Sequence, residues 1–157
     1  MAKPAVDIVK GVYCITGAIN EKFDFEELKN SGQLPIRINL EGAVSISSIG
    51  IRNLKLFIES LPDLAIELYD CPRWIVDILN VIPGILSTKN HRVRVVSAYT
   101  PYHCKTCNTS DERLVRVEAI RLEGTQLMLP VGQFCKQCNE PVKPSVDTYD
   151  YFLFCIR

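Results

Sequence analysis

Arg37-Ile38-Asn39-Leu40-Glu41-Gly42-Ala43-Val44-Ser45-Ile46-Ser47-Ser48-Ile49-Gly50-Ile51 is the stretch on which the reading of this chain turns. From Pro35 to Leu40 the side chains alternate: Ile36, Ile38 and Leu40 fall to one side and Arg37 and Asn39 to the other. That period of two predicts a strand. The period then changes. Ile51, Leu54, Ile58 and Leu61 recur at helical spacing, while Arg52, Asn53, Lys55 and Glu59 occupy the other faces, so the spacing predicts an amphipathic helix. Ser47 or Ser48 can cap it, because a serine hydroxyl accepts from the free amides of a first turn. Pro62-Asp63 is expected to end it.

The same grammar continues on both sides. Leu64 to Tyr69 reads as a strand, and Pro72 opens a helix displaying Trp74, Ile75, Ile78, Leu79 and Ile82 that Pro83-Gly84 should stop. Val93 to Tyr99 is a further strand. Upstream, Val6-Asp7-Ile8-Val9 and Val12-Tyr13-Cys14-Ile15-Thr16, punctuated by Gly11 and Gly17, predict a hairpin or bent strand pair. Asp24 with Glu27 resembles a capping box for a short helix ending at Gly32. Strands alternating with helices imply an α/β fold: a parallel or mixed sheet of about four or five strands backed by helices.

After Tyr99 the pattern becomes a metal module. Cys104-Lys105-Thr106-Cys107-Asn108 and Cys135-Lys136-Gln137-Cys138-Asn139 repeat one motif. Two thiols separated by two residues can face one tetrahedral ion, and two such pairs fill a closed structural zinc site. Each knuckle turns tightly, and Asn is among the few residues with a side chain that readily enter the left-handed backbone region such a turn uses. Lys105 and Lys136 would offset the surplus negative charge of four thiolates. A redox pair is the rival reading, but such a motif is normally single and sits at a strand-to-helix junction; disulfides are a third. His103, beside the first pair, reads as a surface residue at the knuckle's mouth. Cys14, Cys71 and Cys155 lie apart among apolar residues and read as small buried hydrophobes.

The spacer between the pairs, 27 residues, has room for an antiparallel hairpin: Leu114 to Leu122 and Thr125 to Val131 around Glu123-Gly124. Tyr149 to Ile156 is expected to add a last extended piece. The expected division is residues 1–99 as an α/β body and 100–157 as a small antiparallel zinc-ribbon extension, too short to bury a core of its own.

Composition narrows the function. Lys plus Arg equals Asp plus Glu at 18 each in 157 residues, so no net charge draws nucleic acid. The one basic cluster, Lys89 to Arg94, reads as a solvated turn and strand edge. No apolar run is long enough to span a bilayer, and the N-terminal residues carry no secretory pattern. Seven cysteines without an export signal point to a reducing cytoplasm, where paired thiols are expected to bind metal. The two histidines, with no nucleophile elbow, phosphate loop or His-Glu-x-x-His, give no catalytic constellation. A tetrathiolate shell also leaves no open position for activated water.

The order of elements, with Arg37 to Val44 followed by Ser45 to Ile51, resembles the STAS family: bacterial anti-sigma-factor antagonists and the cytoplasmic domains of sulphate transporters. The resemblance covers residues 6 to 99, with the ribbon as an addition. It implies a mixed sheet backed by helices and a non-catalytic role in protein binding. The docking surface it implies is the loop and helix around residues 47–60, with Ser47, Ser48, Ile49, Gly50 and Arg52 as partner-binding residues. Setting Gly50 on the family's motif glycine puts Ile49 where regulated members carry the phosphorylated serine. Isoleucine cannot take phosphate: exposed, it would be an apolar anchor consistent with constitutive assembly, and burial in the protein's own core is the other reading. The implied partner is an anti-sigma-factor or kinase-like ATPase, or a transporter subunit; a homodimer is a further expectation. The alternative expectation is a transcription-associated or nucleic-acid-binding regulator that uses the ribbon.

Overall fold

A computed structural model describes residues 5–31, 34–62, 65–82 and 93–155. The expected ends at Gly32, Asp63, Leu64, Pro83-Gly84 and Ile156, and the basic residues Lys89 to Arg92, lie outside the described residues. The strands are β1 (Ala5–Val9), β2 (Val12–Ile19), β3 (Ile36–Asn39), β4 (Ala43–Ile46), β5 (Ile66–Tyr69), β6 (Val93–Val95), β7 (Ser97–Cys104), β8 (Thr109–Arg116), β9 (Arg121–Glu123), β10 (Gln126–Met128) and β11 (Lys143–Pro144). The helices are α1 (Ser48–Glu59), α2 (Arg73–Val81) and α3 (Thr148–Tyr151).

The result is a mixed α/β arrangement. Its main sheet has six strands in the order β1-β2-β3-β5-β6, with β4 also paired to β2. The β1–β2 pair is antiparallel, and β2, β3, β5 and β6 run parallel. β2 is long enough to hold β3 over Val12 to Cys14 and then β4 over Gly17 to Ile19. Between them the chain bends at Gly42, where an added Cβ would lie 2.7 Å from Thr16 Cγ2.

Alternation sorts the sheet into two faces. Tyr13, Ile15, Ile36, Ile38, Ile66, Leu68 and Val95 are buried. Arg37, Glu67 and Arg94 are aligned across β3, β5 and β6 on the other face, with ion pairs of 3.5 and 3.8 Å. The two crossovers step the same way along the sheet, and right-handed connections then lay α1 and α2 on the one buried face.

β6 passes through Val96 into β7, so the main sheet leads without a break into the second, whose order is β11-β7-β8. The boundary expected at residue 99 falls inside β7. Backbone bonds accompany the passage: the Cys71 amide donates to Ser97 O and the Tyr99 amide to Cys71 O. One core cluster runs from Ile15, Ile38 and Leu68 to Cys104, Cys135, Tyr151 and Phe152.

Several expectations are corrected. The main sheet has six strands rather than four or five. The segment opened by Asp24 is a 3-10 turn over Phe25–Ser31, in which the Asp24 carboxylate accepts from the Glu26 amide rather than from an amide deeper in an α-helix. The strand expected over Leu114 to Leu122 begins at Thr109, ends at Arg116 and gives way to a 3-10 turn, Val117–Ala119. The last aromatic piece is not extended. It forms α3 and a 3-10 turn, Leu153–Cys155, because Asp147 caps it and Tyr151 and Phe152 are drawn into the core.

Candidate metal centre

β7 and β8 form a hairpin in continuous register from Ser97↔Arg116 to Cys104↔Thr109. The first cysteine pair is its turn, with Cys104 ending β7 and Cys107 inside the reversal. Asn108 completes it at φ 53°. The second pair is built alike: the Asn139 amide donates to Cys135 O at 3.0 Å, the Cys135 amide to Glu140 O at 2.7 Å, and Asn139 stands at φ 58°. The left-handed asparagines read from the repeat are therefore present in both knuckles.

The four sulfurs converge. Cys104 and Cys138 Sγ are 3.5 Å apart, Cys107 and Cys135 3.3 Å, and Cys107 and Cys138 3.7 Å. All four lie within 4.8 Å of one another. A tetrahedron with metal–sulfur bonds of about 2.3 Å has edges of about 3.8 Å, close to these separations. Cys104 and Cys135 are buried, and Cys107 and Cys138 are half-buried.

Local donors prepare Cys135 and Cys104 to be thiolates; at Cys107 the Thr109 hydroxyl acts in the same sense, but the Cys135 sulfur and burial outweigh it and raise the thiol. The backbone amides of Cys138 and Gln137 lower the Cys135 thiol to about 6, and the Cys107 amide lowers that of Cys104. The Glu140 amide favours the Cys138 thiolate, but burial and the three neighbouring sulfurs outweigh it and push that thiol up to about 12. Four thiolates at such separations repel one another, so full deprotonation calls for a cation among them. The site can hold a metal ion, and its all-sulfur donor set suits a soft, tetrahedral one.

Other sequence candidates fall elsewhere. His103 Nδ1 is 3.1 Å from Ser110 Oγ and outside the sulfur group. Lys136 Nζ lies 3.6 Å from Asp111 Oδ2. Cys71 is fully buried, and burial raises its thiol; burial pushes Cys155 up to about 12. Both are inert thiols by the usual criterion. The structure adds a residue that belongs to no sequence motif. Arg113, from β8, reaches Gln133 and the Phe134 carbonyl beside the second knuckle. Its partners lie 20 and 21 residues away, beyond any local pattern.

The residues read as partner-binding gather at the start of α1. Ser47 is the N-cap, its hydroxyl accepting from the Gly50 amide at 3.0 Å. Gly50 is buried against β2: an added Cβ would be 2.5 Å from Ile19 O and 2.9 Å from Ile46 Cγ1. Ser48 and Arg52 are exposed. Ile49 is 53% exposed and Leu56 54%. Seven residues apart on one helix, Ile49, Arg52 and Leu56 share a stripe. It leads into a cleft lined by Phe23, Phe25, Leu56 and Phe57 together with the polar Asp24, Glu26, Asn53 and Ser60.

No protein-family model, curated protein or solved structure matches the chain. No helix among the described residues is long and apolar enough to cross a membrane.

Proposed function

We propose that the chain is a non-catalytic protein-interaction module, similar in body to the STAS anti-sigma-factor antagonists, whose C-terminal extension is stapled by one structural zinc ion. The observation that carries the reading is the surface of α1. Ile49 and Leu56 are more than half exposed, although the core already has Phe57 and Ile58 from the same helix. An apolar stripe with Arg52 set in it, next to a cleft of mixed apolar and acidic lining, has apolar and arginine anchors of the kind found at interface centres. Support comes from the parallel strands and the bend from β3 into β4, which lead into the start of α1. Zinc is favoured because a closed four-cysteine shell built from two Cys-x-x-Cys pairs is its usual structural site.

The partner proposed is a folded protein of the anti-sigma-factor or kinase-like ATPase class, or a transporter subunit, in the cytoplasm. A photo-crosslinking residue at Leu56, introduced in the native cell, should trap a single protein partner, and Ile49→Asp should abolish the adduct while leaving bound metal unchanged. Trapping that survives Ile49→Asp, or that occurs equally from Arg73 on α2, would contradict the reading.

A further inference from the structure

We propose that Arg113 is the positioning residue that sets the second cysteine pair in place for the metal, an inference that rests on reading the four sulfurs as a metal site. β8 leaves the first knuckle, and Arg113 lies on it opposite Thr100 of β7. Its Nη1 donates to Gln133 Oε1 at 2.9 Å and its Nη2 to the Phe134 carbonyl at 2.7 Å. Gln133 and Phe134 immediately precede Cys135. One side chain thus ties the strand of the first knuckle to the approach of the second.

The guanidinium is itself fixed. Nε is 3.2 Å from Asp111 Oδ1 and 3.3 Å from Oδ2, and Cζ lies 5.3 Å from the Tyr102 ring centroid. Only 13% of the side chain is exposed. Asp111 also reaches Lys136 within the second knuckle, which adds a weaker link of the same sense.

Other bonds of the loop do a different job. Cys135 to Glu140, Val142 to Gln133 and the Phe134↔Pro141 bridge are internal to it. They give the loop its shape and leave its place against the first knuckle open. Downstream, β11 pairs with β7 at Lys143↔His103 and Pro144↔Tyr102. Upstream, Arg113 makes the connection through two short hydrogen bonds, beside the longer contact of Thr109 Oγ1 with Cys135 Sγ at 3.8 Å. Holding the loop in place before the ion arrives removes part of the ordering cost that metal binding otherwise bears. Groups that orient metal ligands in this way typically change metal affinity by about 10- to 100-fold when removed.

The test is zinc affinity of the full reduced chain, measured by competition with a chelator. Arg113→Ala and Arg113→Lys should each weaken binding by about 10- to 100-fold, since the single nitrogen of an ammonium lacks the planar fork that reaches Asp111, Gln133 and Phe134 from three separate nitrogens. Gln133→Ala, which removes one of the two acceptors, should weaken it by a smaller factor. Cobalt-loaded variants should keep the natural spectrum at saturation, because the four sulfurs remain the ligands. Arg116→Ala, on the same strand and paired among the described residues with exposed Glu118, should leave affinity unchanged. Affinity within about twofold of the natural chain for both Arg113→Lys and Gln133→Ala overturns the proposal. So does an equal loss in Arg116→Ala, which would mean general weakening of β8. If Arg113→Ala does not fold, the Lys and Gln133 variants decide. A natural chain that takes up neither zinc nor cobalt defeats the metal reading, and this inference with it.

Discussion

Asn108 and Asn139 hold the same left-handed backbone conformation, φ 53° and 58°, each one residue past the second cysteine of its pair. Glycine reaches this region freely and asparagine tolerates it, whereas a β-branched side chain crowds its own backbone there. Asn139→Gly should therefore be close to neutral, while Asn139→Val should cost about 1–2 kcal/mol and weaken metal binding. Denaturant unfolding of the metal-loaded variants measures both. Equal stability of the Val and Gly variants would show that the knuckle does not depend on this angle.

Gly50 leaves no room for a methyl group between α1 and β2. With Ile19 O at 2.5 Å from the position of an added Cβ, Gly50→Ala must push the start of α1 away from the sheet. Forced overpacking of this kind costs about 1–3 kcal/mol. Chemical denaturation should show that loss, and a change below about 0.5 kcal/mol would contradict the close approach.

Ser47 and Ser48 should separate cleanly. Ser47 holds the Gly50 amide, so Ser47→Ala should cost about 1 kcal/mol. Ser48, exposed in the first turn, should tolerate Ala within about 0.5 kcal/mol. Equal losses at both positions would reassign the cap.

The Tyr99 hydroxyl donates to Glu41 Oε1 at 2.7 Å. That bond first, and burial second, push the phenol up to about 12. A phenol whose folded pKa exceeds its unfolded value of about 10 is stabilised as the neutral form. Its contribution is complete below pH 10 and is lost as pH rises from about 10 through about 12. Tyr99 followed by NMR should titrate late, and Glu41→Gln should move it back toward its ordinary value. A Tyr99 that ionises at the ordinary pH in the natural chain would refute this.

Where local pattern and tertiary packing agree, the residues announce the fold. Ile36, Ile38, Ile66 and Leu68 alternate because one face of the parallel sheet is buried, and Ser47 caps α1 for reasons contained in its own turn. The paired cysteines were legible for the same reason, since each knuckle is local and only their convergence is not. Strand β8 hid because Ser110, Asp111, Glu112 and Arg113 look like a loop; the strand exists because it pairs with β7 over its whole length. The end of the chain misled in the opposite sense. Tyr149 to Phe154 has the aromatic content of a strand, yet Asp147 accepts from the Tyr149 and Asp150 amides and starts a helix. Its fate was settled by burial of Tyr151 and Phe152 beside Phe154. Arg113 was invisible because its acceptors are set by tertiary structure alone.

The account stands on four sulfurs sharing one ion, and cobalt(II) loading of the reduced chain tests that most directly. It predicts uptake of one equivalent per chain, with the absorption of a tetrahedral all-thiolate site, displacement by zinc, and loss of that spectrum in Cys104→Ser and in Cys138→Ser. Absence of uptake, or a spectrum of six-coordinate cobalt unchanged by either substitution, would contradict it.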